Sequence, residues 1–159
     1  IRQAVKLSGV RAVVALGWGQ QEAKTKDANI FYVKSVPHDW LFPHMAGAVH
    51  HGGAGTTATS LRHALPTLVV PFGGDQPFWA ERVYAAGCGP KAIPRDKLTA
   101  ENLAEGLRAL ISNPEYTRNA ACIGEALRNE HGCANAADLI EKAVWDWENG
   151  NPAQDGMNI

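Results

Sequence analysis

Between residues 10 and 93 the chain repeats one pattern: a short apolar run, a turn marked by Gly or Pro, then a helical or polar stretch. The runs cover residues 10–16, 30–33, 46–50, 67–70 and 90–93. They are too short for helices and mostly apolar without alternation, as expected of strands buried on both faces of a parallel sheet. Parallel neighbours cannot be joined by tight hairpins, so right-handed crossovers must lie between them, and helices supply these. The pattern therefore predicts an α/β fold, a Rossmann-like parallel sheet flanked by helices.

The connecting segments agree. Residues 1–8 read as the end of an amphipathic helix, stopped by Ser8-Gly9. Residues 20–29 are polar, and Asp39 can cap a helical turn over 40–43. A helix over 56–65 is stopped by Pro66. Asp75-Gln76-Pro77 opens another, with Pro near its first position, running to about Ala86 before Gly87 and Gly89. Beyond residue 100 three apolar faces recur at helical spacing: Leu103/Leu107/Leu110/Ile111, Tyr116/Ala120/Ile123/Leu127 after a break at Asn113-Pro114, and Ala137/Ile140/Val144/Trp147. The expected organisation is one domain over residues 1–147 and a flexible tail over 148–159. The opening Ile1-Arg2-Gln3-Ala4-Val5 reads as mid-helix, as in a piece of a longer protein.

A length of 159 residues allows one domain with a substantial core. The formal net charge of -1 gives no basic excess and argues against a nucleic-acid partner. Cys88, Cys122 and Cys133 are odd in number, widely spaced and without a CxxC, which suits reduced thiols in a cytoplasmic protein. No apolar run reaches the ~18 residues of a membrane span, and no secretory signal pattern is present.

Ligands of open parallel sheets bind at the carboxyl ends of the strands. Four distinctive stretches fall there: Gly17-Trp18-Gly19, Ser35-Val36-Pro37-His38, His51 to Thr57, and Phe72 to Gln76. In the third, a strand ends at His50-His51, glycines follow and Thr56-Thr57 open a helix. A helix start offers unpaired N–H groups and partial positive charge. Gly53 and Gly55, with Ala54 between them, keep large side chains out of an anion's way, the threonine hydroxyls add donors, and His51 can donate a ring N–H. Together these form a diphosphate cradle without lysine. The plainer alternative is a tight turn with Thr56 as N-cap. The motif is neither a Walker loop nor the spaced GxGxxG fingerprint, and no GxSxG elbow supports an esterase oxyanion loop.

Asp75-Gln76 can grip neighbouring sugar hydroxyls, the carboxylate accepting and the amide doing both; the alternative is that Asp75 caps a helix. Ser35-Val36-Pro37 can offer backbone groups to a flat base, or be a plain strand end. Trp18 can cover the site, while Trp40 and Trp79 suit core or interdomain packing, and His38, His44 and His63 structural roles. No Asp-x-Asp and no His/Cys ligand spacing points to a metal.

From Val36 to Val83 the order His50-His51-Gly52-Gly53-Ala54-Gly55-Thr56-Thr57, Ser60-Leu61-Arg62, Leu65-Pro66-Thr67, Pro71-Phe72, Gly74-Asp75-Gln76 and Ala80-Glu81-Arg82-Val83 resembles the donor signature of UDP-glycosyltransferases of the two-domain GT-B architecture. It is most similar to the fungal and bacterial sterol 3-beta-glucosyltransferases, over nearly the whole chain from Ile1 to about Val144. The resemblance implies that Val36 pairs its backbone with uracil, that His51, Gly53, Gly55, Thr56 and Thr57 hold the diphosphate, and that Asp75 and Gln76 hold glucose. Plant relatives carry a ribose-binding glutamate where this chain has Thr59, and Trp-Asn where it has Ala54-Gly55, which leaves the ribose contact open. The implied reaction inverts the anomeric carbon, uses no metal or cofactor, and passes glucose from UDP-glucose to a sterol or other lipophilic hydroxyl. Its base lies in an N-terminal domain outside this sequence, so no catalytic residue is expected here. The same holds for a first sheet strand, expected before Ile1; the chain alone is then expected to bind rather than turn over. A cytoplasmic location is expected, with peripheral membrane contact in a full-length protein. A non-catalytic nucleotide-sugar module, or a Rossmann-like domain for another nucleotide, are the alternatives.

Overall fold

A computed structural model describes residues 1–17 and 27–150. In chain order the elements are α1 (Arg2–Ser8), β1 (Ala12–Ala15), β2 (Ile30–Val33), α2 (His38–Leu41), β3 (Ala48–His50), α3 (Ala54–Arg62), β4 (Thr67–Val69), α4 (Gln76–Ala85), α5 (Ala100–Ser112), α6 (Pro114–Asn129) and α7 (Gly132–Glu148), with 3-10 turns at Phe42–His44 and Arg95–Lys97. The chain divides into two units, Ile1–Leu127 and Arg128–Ile159.

Within the first unit all ladder pairing between the named strands is parallel. β1 pairs with β2 in the register Ala12 to Ile30 through Ala15 to Val33. β3 pairs with β4, Ala48 to Thr67 through His50 to Val69. The two ladders are separate. A cavity of about 380 Å³ is bounded by residues of both β1 and β3, with Val5 and Leu110 contributing from the helices.

β4 explains the core. Successive strand residues face opposite sides, and each side of β4 meets its own apolar cluster. Val69 packs with Leu61, Ala80, Val83, Cys88 and Ala120. Leu68 packs with Ala4, Leu103, Ala104 and Leu110. The helical faces read at residues 103–110 and 120–127 are the ones that supply these contacts. α5 starts cleanly because Thr99 and Asn102 form a reciprocal capping box. α7, in the second unit, leaves Ile140, Val144 and Trp147 exposed. Among the described residues no helix is long and apolar enough to cross a membrane.

Three local expectations are corrected. The helix expected over 56–65 starts two residues earlier, at Ala54, because Gly53 already takes the extended N-cap conformation (φ -62°, ψ 142°). Residues 90–93 do not form a ladder strand, although the Ile93 N–H donates to the Val69 carbonyl (3.0 Å); Pro90 has no N–H to contribute. Asp39 sits inside the first turn of α2, with Pro37 at the N-cap, and its Oδ1 lies 3.1 Å from His63 Nε2.

Candidate functional site

The turn after β3 is shaped by His50. Its Nδ1 accepts the Gly52 N–H at 3.0 Å. A neutral ring accepting at Nδ1 carries its proton on Nε2, and that atom is buried without a hydrogen-bond partner. Burial, and then the neighbouring His51 and His38, lower the His50 pKa to about 4. Gly52 has φ +92°, a conformation side chains disfavour. A Cβ there would also fall 2.6 Å from Val69 Cγ1 and 3.2 Å from the Gln76 carbonyl oxygen. The glycine thus lets the β3 turn lie directly against the start of α4, which brings two of the four stretches together.

Helix α3 follows with no side-chain cap. Its first intrahelical bond runs from the Thr57 N–H to the Gly53 carbonyl, 2.9 Å. The N–H groups of Gly53, Ala54, Gly55 and Thr56 therefore have no acceptor within the helix, at the end where the dipole is positive. The His51 imidazole folds over Gly53: its Nε2 is 2.6 Å from where a Cβ would stand. Gly53 accordingly makes room for a ring rather than for a phosphate. Gly55 does face open space, with nothing within 4 Å of a built Cβ. A ring nitrogen thus lies at a helix start whose first four N–H groups have no acceptor within the helix, an arrangement suited to an anion.

The threonines divide. Thr56 is the third residue of α3, so it is not the N-cap. Thr57 is 3% exposed and its Oγ1 is buried without a partner, so its hydroxyl faces inward and is not a surface donor. Four residues into a helix lying on a sheet, that position belongs to the buried face. Thr59 and Ser60 donate to the carbonyls of Gly55 (2.8 Å) and Thr56 (2.9 Å).

Asp75 occupies the N-cap position of α4 but makes no capping bond. Its Oδ2 accepts the Trp79 indole N–H at 2.9 Å. Gln76 Oε1 accepts the backbone N–H groups of Phe72 (2.7 Å) and Gly73 (3.2 Å). Trp79 is therefore not simply a packing residue, and Trp40, 64% exposed, is not core. The Asp-x-x-x-Trp spacing, which puts both residues on one helix face, was the available signal.

The base-reading candidates follow β2. Ser35 and Pro37 are exposed, and Val36 is half-buried on the wall of the 380 Å³ cavity, which His50 and Thr56 also line. Trp18 lies outside the described residues. His38 stacks on Phe42 (4.7 Å between ring centroids), a structural contact.

Comparison with known proteins fits this geometry. The family model described as "Erythromycin biosynthesis protein CIII-like, C-terminal domain" matches residues 9–141. The sterol 3-beta-glucosyltransferase UGT80B1 of Arabidopsis thaliana is 42% identical over 144 residues, 89% of this chain and 23% of that protein. The sterol 3-beta-glucosyltransferase of Cryptococcus neoformans is 38% identical over 152 residues, 87% of this chain and 9% of that protein. The chain thus spans less than a quarter of these relatives' length. Among solved structures, glycosyltransferase VinC in complex with DTDP superposes with a TM-score of 0.72 at 28% identity, covering 80% of this chain and 33% of that one. Spinosyn forosaminyltransferase SpnP gives 0.77 at 23% identity, 90% and 38%, a likeness of fold. The chain belongs to the erythromycin biosynthesis protein CIII-like C-terminal domain family, and its fold is that of the C-terminal half of a GT-B glycosyltransferase.

Proposed function

We propose that this chain is the donor-binding half of an inverting UDP-glycosyltransferase that passes glucose from UDP-glucose to a sterol or another lipophilic hydroxyl. The observation that carries this reading is the open start of α3, with His51 folded over Gly53 and Gln76, next to Asp75, held against Gly52. The diphosphate sits on the free N–H groups and His51. The sugar extends to Asp75 and Gln76, and the base to the backbone at Val36.

In transfer, the bond between the anomeric carbon and the diphosphate oxygen breaks and negative charge grows on that oxygen. Donors already aimed at it stabilise the change without reorganising. The helix start and His51 take the part that a metal cation plays in other transferases. The proton acceptor for the incoming hydroxyl is supplied from outside this chain. Sterol as the acceptor rests on the names of the relatives.

Calorimetry tests the reading. UDP and UDP-glucose should bind, and His51→Ala should weaken both at least tenfold, about 1.4 kcal/mol. Binding of NAD without UDP would overturn it. Titration with dTDP, the nucleotide seen with VinC, settles the base. Offering UDP-glucose with a sterol, against other lipophilic alcohols, identifies the acceptor.

A further inference from the structure

We infer that Trp79 is a positioning residue that holds the Asp75 carboxylate in sugar-binding orientation; the inference rests on the donor-site reading above. An aspartate at an N-cap ordinarily turns its carboxylate back onto the N–H of the second or third helical residue. In α4 the second residue is Pro77, which has no N–H, so the natural partner is Phe78. Asp75 makes no such bond. Its Oδ2 instead accepts from Trp79 Nε1, one helical turn further on. The indole is half-buried and braced edge-on by the Phe78 ring, with centroids 5.2 Å apart and planes at 80°. A donor fixed on a braced ring pins one carboxylate oxygen, and Oδ1 remains to accept from a ligand.

Gln76 completes the device. With Oε1 occupied by the Phe72 and Gly73 N–H groups, only its NH₂ is offered outward. The pair is thereby polarised: Asp75 accepts and Gln76 donates. Such a pair reads two neighbouring hydroxyls, one through its hydrogen and the other through its oxygen, and it discriminates against a donor lacking either. Gly73 and Gly74 stand in open space beside it. Trp79 touches no reacting atom in this scheme. It acts through Asp75.

The test compares UDP with UDP-glucose on the intact polypeptide by calorimetry. The ratio of the two affinities isolates the sugar contact. In Trp79→Phe that ratio should fall about tenfold, the worth of a charge-assisted hydrogen bond, with UDP affinity unchanged. The melting temperature should hold or rise, because the released carboxylate can cap α4. Trp79→His, which can donate from the same helical position, should restore part of the ratio. UDP-sugars lacking one sugar hydroxyl provide a measurement that needs no variant: loss of a hydroxyl that Asp75 or Gln76 reads should reduce affinity toward that of UDP. An unchanged ratio in Trp79→Phe, or a parallel loss of UDP and UDP-glucose binding in it, overturns the inference while leaving the donor site standing; indifference to every hydroxyl overturns the inference together with the sugar contacts of that site. Failure of the unaltered protein to bind UDP overturns both.

Discussion

β4 buries all three of its residues, whereas β1 buries none and β2 leaves Phe31 68% exposed. The difference maps onto the proposed site. The anion turn and the sugar-reading pair grow from the ends of β3 and β4. There a half-buried histidine that accepts the Gly52 N–H and a glycine at φ +92° fix the backbone. The base-reading segment 35–37 follows β2, in the thinly covered ladder. The backbone proposed to meet diphosphate and sugar is thus preorganised, which would lower the ordering cost of binding. The region around Val36 has less packing to hold it.

The largest effect expected from this contrast is on stability. Leu68→Ala, in the middle of β4, should cost about 2–5 kcal/mol in urea unfolding. A loss below about 1 kcal/mol would show that β4 does not anchor the fold.

Next comes pH. His50 stays neutral in the folded protein down to about pH 4, while its unfolded form takes up a proton near 6.5. Between these values the unfolded state binds more protons, so stability falls as the pH drops from 6.5 to 4 and levels off below. The contribution is on the order of 3 kcal/mol. His50→Asn keeps an acceptor for the Gly52 N–H and removes the titration. Urea midpoints followed from pH 7 to 4 should fall less steeply in the variant, and identical slopes would assign the effect to other groups.

Gly55→Ala sharpens the comparison differently. A methyl group meets nothing in the protein, so stability should hold or rise by up to about 1 kcal/mol. UDP affinity should drop about tenfold, because the methyl stands before the helix donors. Stability and affinity rising together would move the anion site elsewhere. The smallest effect is expected at Phe31→Ala, within about 0.5 kcal/mol; a loss like that of Leu68→Ala would erase the distinction between the ladders.

Much of this was legible in the chain. Short apolar runs between glycine turns fixed the α/β class. The bonds that shape the site join residues at most four apart: His50 with Gly52, Asp75 with Trp79, Gln76 with Phe72 and Gly73. Such contacts follow from local dihedrals and helical spacing, so they are readable in principle, although the Asp75–Trp79 pair passed unnoticed behind the expectation of a packing tryptophan. The helix start moved from residue 56 to Ala54 because glycine, alanine and threonine sequences do not distinguish a turn from a first helical turn.

Other features were decided by tertiary structure alone. Thr57 and Thr56 are adjacent and alike, yet one is buried and the other half-exposed, and only the side on which α3 meets the sheet chooses between them. Gly52 needs its missing side chain because Val69 and Gln76, far along the chain, close on it. Val36 shares a cavity wall with His50 and Thr56 through the order of the strands. The sequence by itself determined the element types and the local hydrogen bonds, since these depend on residues within one turn. Which strand ends meet, and which faces are covered, depends on crossovers and burial summed over the whole domain, and that only the fold decided.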